Sequence, residues 1–180
     1  MARGLVIIDI QRDYFPDGAH PLVEPEAAAA AASRVLAGFR DSGEPVVHLK
    51  HVWDEPEATF MRPGTDGVEI HPTVAPASGE PVIEKEEPNG FLDTGLEAEL
   101  RSRDVDELVV VGMMSNMCVD ATTRAAADLG FGVTVVHDAC AASDLEFGGT
   151  SVPGAQVHAA FMAALADGYA SVVAADDLSA

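Results

Sequence analysis

Leu108-Val109-Val110-Val111-Gly112-Met113-Met114-Ser115-Asn116-Met117-Cys118-Val119 is the stretch on which the reading of the fold turns. Its first four residues are a short, β-branched apolar run, the pattern of a strand buried on both faces of a parallel sheet. Asp120 to Leu129, closed by Gly130, then reads as a helix with a glycine stop. Cys118 therefore falls where a strand hands over to a helix. With Ser115 or Asn116 as the cap, it lies in the first turn, among unpaired amides whose dipole favours negative charge. A thiol in that place is expected to lean toward thiolate. Free cysteine is also a common core residue, so this stretch alone leaves both readings open.

Working outward, the same strand pattern recurs. Leu5 to Ile8 is an apolar run ending at Asp9. Pro45 to Lys50 is a second strand, and Val82-Ile83 begins a third that runs into Glu84-Lys85. Gly132 to Val136 and Ala170 to Ala174 complete six. Helices are expected between them. Glu24 to Asp41 has Pro25 in its first turn, six alanines and an apolar stripe of Val35, Leu36 and Phe39, with Gly43 as stop. Leu92 to Arg103 and a last helix opened by Pro153 follow the same logic. Alternating strands and helices predict one α/β domain over residues 1–180, a three-layer α/β/α arrangement around a six-stranded parallel sheet with helices on both faces. Trp53 to Pro81 breaks the rhythm, with five prolines and no period. A loop this long is a lid or binding loop, or else wraps the surface or meets another subunit.

In such sheets ligands gather beyond the carboxyl ends of the strands, where strand order reverses. Asp9, Lys85 and Cys118 all stand at strand ends. A thiol nucleophile needs a base for its proton and a group to offset charge. Asp9 can take the proton and return it to a leaving amine, and Lys85 can hold Asp9 and tune the thiol.

Composition bounds the partners. Thirty acids against ten bases leave a net charge of -20. That field repels nucleic acid and anionic lipid, though a local pocket can oppose it for a small substrate. Two cysteines, Cys118 and Cys140, fit a reducing compartment, and Leu5 to Ile8 is too short for a signal peptide or a membrane span. A cytoplasmic protein is expected.

The chain resembles the isochorismatase-like cysteine hydrolases, which include nicotinamidases. The resemblance covers nearly the whole chain. It rests on Ile8-Asp9-Ile10-Gln11-Arg12-Asp13, Val82 to Lys85, Asn89 to Leu96, Gly112 to Thr123, and Asp138-Ala139-Cys140. It implies a catalytic triad of Asp9, Lys85 and Cys118. It also implies a cis peptide joining Met113 to Met114, with the Met114 and Cys118 amides as an oxyanion hole. Gln11, Phe15, Trp53 and Phe91 are the residues expected to line the substrate pocket. No cofactor is expected. Nicotinamidases carry an Asp-x-His metal pair after the second strand, and the matching positions, His51 and Trp53, are not a ligand set. His71 is the other histidine that could be recruited to a metal, and none is expected. Retaining Cys118 favours acyl transfer to a thiol, hence hydrolysis of a small amide. The rivals are enol-ether hydrolysis of the isochorismate type, with Asp9 as acid, and a binding protein without turnover. A homo-oligomer, a dimer or larger, follows from the resemblance.

Overall fold

The computed structural model describes residues 2–178; Met1, Ser179 and Ala180, the ends of the expected domain, lie outside the described residues. In chain order the elements are β1 (Ala2–Ile8), α1 (Pro25–Ser42), β2 (Val46–His51), β3 (Val82–Lys85), α2 (Leu96–Ser102), β4 (Val105–Met113), α3 (Asp120–Asp128), β5 (Gly132–Ala141), β6 (Leu145–Phe147), β7 (Thr150–Val152), α4 (Gly154–Gly168) and β8 (Ser171–Val173). Six strands form one sheet in the order β3-β2-β1-β4-β5-β8, parallel throughout. The chain steps outward from β1 to β3, then crosses back to lay β4 on the other side of β1. The strand order reverses between β1 and β4.

The two-residue period of a strand explains why these runs are apolar without interruption. Leu5 and Ile7 of β1, with Val109 and Val111 of β4, face one layer, built mainly on α1. Val6 and Ile8, with Leu108 and Val110, face the other, where Leu96 and Leu100 of α2, Ala126 of α3 and Leu165 of α4 pack. The alanines of α1 are part of its buried face, together with Val35, Leu36 and Phe39. Gly43 closes α1 at φ 71°, its N–H donating to the Phe39 and Arg40 carbonyls. Gly112 is required for a different reason. A Cβ there would meet the Ile8 carbonyl oxygen at 2.1 Å, so only glycine lets β4 pass the end of β1 at the reversal.

Three expectations need correction. The helix predicted from Leu92 begins at Leu96. Before it, Asn89 Oδ1 accepts from Phe91 N and Thr94 Oγ1 donates to the Gly90 carbonyl, so short polar side chains claim backbone groups that a helix would need. Strand β5 runs on to Ala141, past the predicted stop at Val136, because Gly112 and Met113 pair with Cys140 and Ala141 after a register shift. The β6–β7 hairpin was not anticipated, although Gly148 and Gly149, at φ 58° and 79°, are the turn pair that hairpins favour.

The Trp53 to Pro81 loop is anchored, not loose. Ala58, Met61, Val68 and Val74 are buried in it. The Asp13 carboxylate accepts from Met61 N (2.6 Å) and Ala19 N (3.0 Å), and Asp13 N donates to the Gly67 carbonyl (2.9 Å). Among the described residues no helix is long and apolar enough to cross a membrane.

Candidate active site

The reversal between β1 and β4 places Asp9 and Cys118 side by side. Asp9 follows β1 in the left-handed region at φ 50°, a conformation that Asp tolerates better than most residues. Its N–H donates to the Leu49 carbonyl and its carbonyl accepts from Gln11 N, which fixes the turn. Lys85 is the last residue of β3 and reaches under β2 toward them. Its Nζ lies 2.7 Å from Asp9 Oδ2, with both side chains fully buried, and 3.3 Å from Cys118 Sγ. It also donates to the Glu87 carbonyl (3.1 Å) and meets His51 Nδ1 at 3.1 Å. An ammonium has three protons, and four acceptors surround this one. The Asp9 carboxylate is also within hydrogen-bonding reach of the Cys118 thiol, whose proton it would take.

Cys118 lies in a turn from Ser115 to Val119 that is wider than an α-helical turn, with Val119 N donating five residues back to the Met114 carbonyl (3.2 Å). The Met113–Met114 peptide is cis. Neither expected cap forms: Ser115 Oγ pairs with His158 Nδ1 at 2.8 Å, and Asn116 Oδ1 is buried without a partner. The expected lean toward thiolate is also overturned. Burial pushes the Cys118 thiol well above the ordinary range, the Asp9 charge adds to this, and Lys85 only partly opposes it. Burial works against the Lys85 ammonium too, but Asp9 and Cys118 outweigh it and raise its pKa. The resting site is thus a neutral thiol beside a carboxylate–ammonium pair.

Asp9, His51 and Cys118 bring donor atoms within 4.8 Å of one another, a set that a metal ion could use. Lys85 Nζ already lies 2.7–3.3 Å from each of them. A metal there must displace both the ammonium and its charge. His71 takes no part; its ring stacks on Phe15 at 3.7 Å and its Nδ1 accepts from Thr73 N.

A cleft of about 500 Å³ lies beside this cluster, lined by His20, His51, Trp53, Phe60, Glu86, Pro88, Met114, Asn116, Met117, Ser143, Asp144 and Leu145; Asp9, Lys85 and Cys118 are not in its wall, and His51, which meets the Lys85 ammonium, is the link between the two. Of the four residues expected in the pocket, the structure puts only Trp53 there. Gln11 is fully buried and spent on backbone: Nε2 donates to the His51 and Val68 carbonyls (2.8 and 2.7 Å), and Oε1 accepts from His51 N (2.8 Å). It ties β1 to β2 and to the long loop. Phe15 lines a separate hollow with Arg12 and His71, and Phe91 packs on Phe131 at 5.9 Å. Phe60, one of the aromatics considered for the pocket from the sequence, also lines the cleft; sequence reasoning missed His20, Glu86 and Asp144, and treated His51 only as a metal candidate. A histidine opposite Lys85 in the β2–β3 register was the signal available for His51.

This fold recurs in known proteins. The model of the isochorismatase domain matches residues 3–177. The chain belongs to the isochorismatase family. An isochorismatase family protein from Bacillus subtilis, YddQ, is 48% identical over 172 residues, 96% of each chain. The crystal structure of an isochorismatase hydrolase from Oleispira antarctica is 50% identical, with a TM-score of 0.94 over 98% of this chain and 95% of that one. The N-carbamoylsarcosine amidase of Thermoplasma acidophilum is 27% identical, with a TM-score of 0.85 over 100% of both chains. The six-stranded parallel sheet of this isochorismatase-family chain is the one these structures share.

Proposed function

We propose that this chain hydrolyses a small, non-peptide amide through a thioester on Cys118. One observation carries the reading: the Lys85 ammonium touches both the Asp9 carboxylate and the Cys118 thiol at the reversal of strand order, and His51, which meets the same ammonium, is in the wall of the adjoining cleft. The kinship to an enzyme named as an amidase supports it.

Because the thiol rests neutral, its proton leaves as attack begins. Asp9 takes that proton while Cys118 Sγ adds to the amide carbonyl, and Lys85 steadies the negative charge that passes between them. The Met114 and Cys118 amides receive the oxyanion. Asp9, now protonated, gives its proton to the leaving nitrogen, and the C–N bond breaks to leave a thioester and an amine. Asp9 then draws a proton from water, whose oxygen attacks the thioester. Collapse returns the proton to the thiol and releases the acid. One amide and one water become one acid and one amine. The same reading includes a homo-oligomer in the cytoplasm; light scattering that gives the mass of a single chain refutes the first part.

The test is to quench the reaction during turnover and weigh the intact protein. An acyl mass on Cys118, and no turnover by a folded Cys118→Ala variant, are expected. An adduct on Cys140, or full activity in Cys118→Ala, overturns the reading. Pyruvate release from isochorismate by Cys118→Ala points instead to enol-ether hydrolysis with Asp9 as acid.

A further inference from the structure

The cleft beside the Cys118 turn, which contributes Met114, Asn116 and Met117 to its wall, is built for one sign of charge. Its only charged linings among the described residues are two carboxylates, Glu86 and Asp144. Asp144 is held on the rim by Gly154 N, which donates to its Oδ1 at 2.7 Å. No Lys or Arg lines the cleft among the described residues; Arg62, close in sequence to Phe60, is not in the lining. Lys85 is no counter-ion for a ligand, since it is buried and already paired with Asp9. The two imidazoles of the wall, His20 and His51, are held neutral by burial, and for His51 also by the Lys85 charge.

The rest of the wall is aromatic and accepting. Trp53 meets Phe60 edge-on at 5.4 Å, and Phe60 stacks on His20 at 4.6 Å. Ring faces attract cations, and quaternary ammonium groups most clearly. Asn116 adds a neutral polar side chain to the same lining. Beyond the cleft, the net charge of -20 draws cations and repels anions at a distance.

We propose that the substrate is a small amide bearing a positive charge a few ångströms from its carbonyl, such as a quaternary ammonium or pyridinium amide. This rests on the amide reading above and adds to it the charge of the substrate. The carbonyl sits at Cys118, and the cation lies in the adjoining cleft against the Trp53–Phe60 wall that Glu86 and Asp144 share. A diacid of the isochorismate type would meet two carboxylates and no free cation.

Three amides test it. Glycine betaine amide carries the charge, 3,3-dimethylbutanamide is its neutral isostere, and malonamate is an anion of similar length. Ammonia release should give the cation a kcat/KM roughly tenfold above the isostere at low ionic strength, with malonamate slowest and the gap shrinking as salt rises. Glu86→Gln, at an exposed position, should cut the cation-to-isostere ratio about threefold, and Asp144→Asn should act the same way. Equal rates for cation and isostere, a preference for malonamate, or a ratio indifferent to both variants overturns the proposal. Calorimetric titration of Cys118→Ala with the same three compounds separates it from the amide reading. Selective binding of the cation without turnover by the parent sustains the charge selection and sinks the amide chemistry. Turnover of all three at equal rates does the reverse. Absence of binding and turnover for all three overturns the proposal as well.

Discussion

Replacing Lys85 with methionine removes one charge from the centre of the site, and two opposite consequences can be sized from the geometry. Lys85 Nζ lies 3.3 Å from Cys118 Sγ. At an effective dielectric of about 20, a unit charge at that distance favours a thiolate by about 5 kcal/mol, or roughly 3.7 pKa units. That is an upper figure, because the site relaxes around the lost charge and a point-charge sum at one fixed dielectric leaves that out. A net rise of one to two units, hence a ten- to hundredfold loss of thiolate at fixed pH, is the order expected. Asp9 pays separately in stability: its side chain is fully buried, and breaking a buried pair typically costs about 3–5 kcal/mol.

The assay is alkylation by iodoacetamide, followed by intact mass across neutral to alkaline pH, with the modified cysteine mapped. Mapping is needed because Cys140 is a second buried thiol, its pKa pushed up by burial to about 12. Lys85→Met should alkylate at Cys118 at least tenfold more slowly than the parent at neutral pH. It should also melt lower, and Lys85→Met/Asp9→Asn should melt higher than Lys85→Met alone, because the double variant leaves no buried charge behind. If Lys85→Met alkylates as fast as the parent, Lys85 does not tune the thiol. If the double variant is no more stable than the single one, the cost did not come from an orphaned Asp9.

Other expectations follow from the same geometry. Glu80, bonded to Arg40 at 2.7 Å and facing His48, has its pKa lowered to about 2, chiefly by Arg40, from 4.5. Its stabilisation is present above the unfolded value and is lost as pH falls from 4.5 toward 2, so Glu80→Gln should cost about 1–2 kcal/mol near neutrality and flatten chemical unfolding across that window. His51, its pKa lowered by burial and then by Lys85, accepts from Lys85 only while neutral. The acid limb of kcat/KM should therefore weaken in His51→Gln, which keeps an acceptor that cannot titrate; an unchanged profile refutes this role. Gly112→Ala should lose about 2–5 kcal/mol in denaturant melts, because its Cβ meets the Ile8 carbonyl at 2.1 Å and φ is 140°. A strong chelator should leave turnover intact, since Lys85 holds the place a cation would take; activity lost to chelation and restored by zinc contradicts this.

Much of the fold was legible because it depends on local patterns. Leu5 to Ile8 and Val109 to Val111 could not be exposed on either face, so they had to be central strands. Pro25 and Gly43 bounded α1 through their own backbone preferences. Reading failed where side chains outbid the pattern. Asn89 and Thr94 capture backbone groups and delay α2, and His137 and Asp138 hide the continuation of β5 behind a polar face.

The site divides along the same line. Asp9, Lys85 and Cys118 stand at strand ends, so strand order alone brings them together, and motif spacing could find them. The thiol's protonation could not be read that way. An exposed helix start favours thiolate, yet Cys118 sits in a wide, buried turn without a cap, where desolvation and Asp9 win over Lys85. The cleft wall is less legible still, because it is set by loops whose courses depend on distant buried groups. Asp13 pins Met61, next to Phe60, while Gln11 pins the end of β2 before Trp53. Gly67 must be glycine, since a Cβ there would strike the Asp13 carboxylate. Asp13 and Gln11 thus shape the cleft without lining it, because they anchor the backbone on either side of the Trp53–Phe60 wall. Residues chosen for a pocket by type alone, as Phe15 and Phe91 were, miss this, because what qualifies a ring is the anchor that aims its loop.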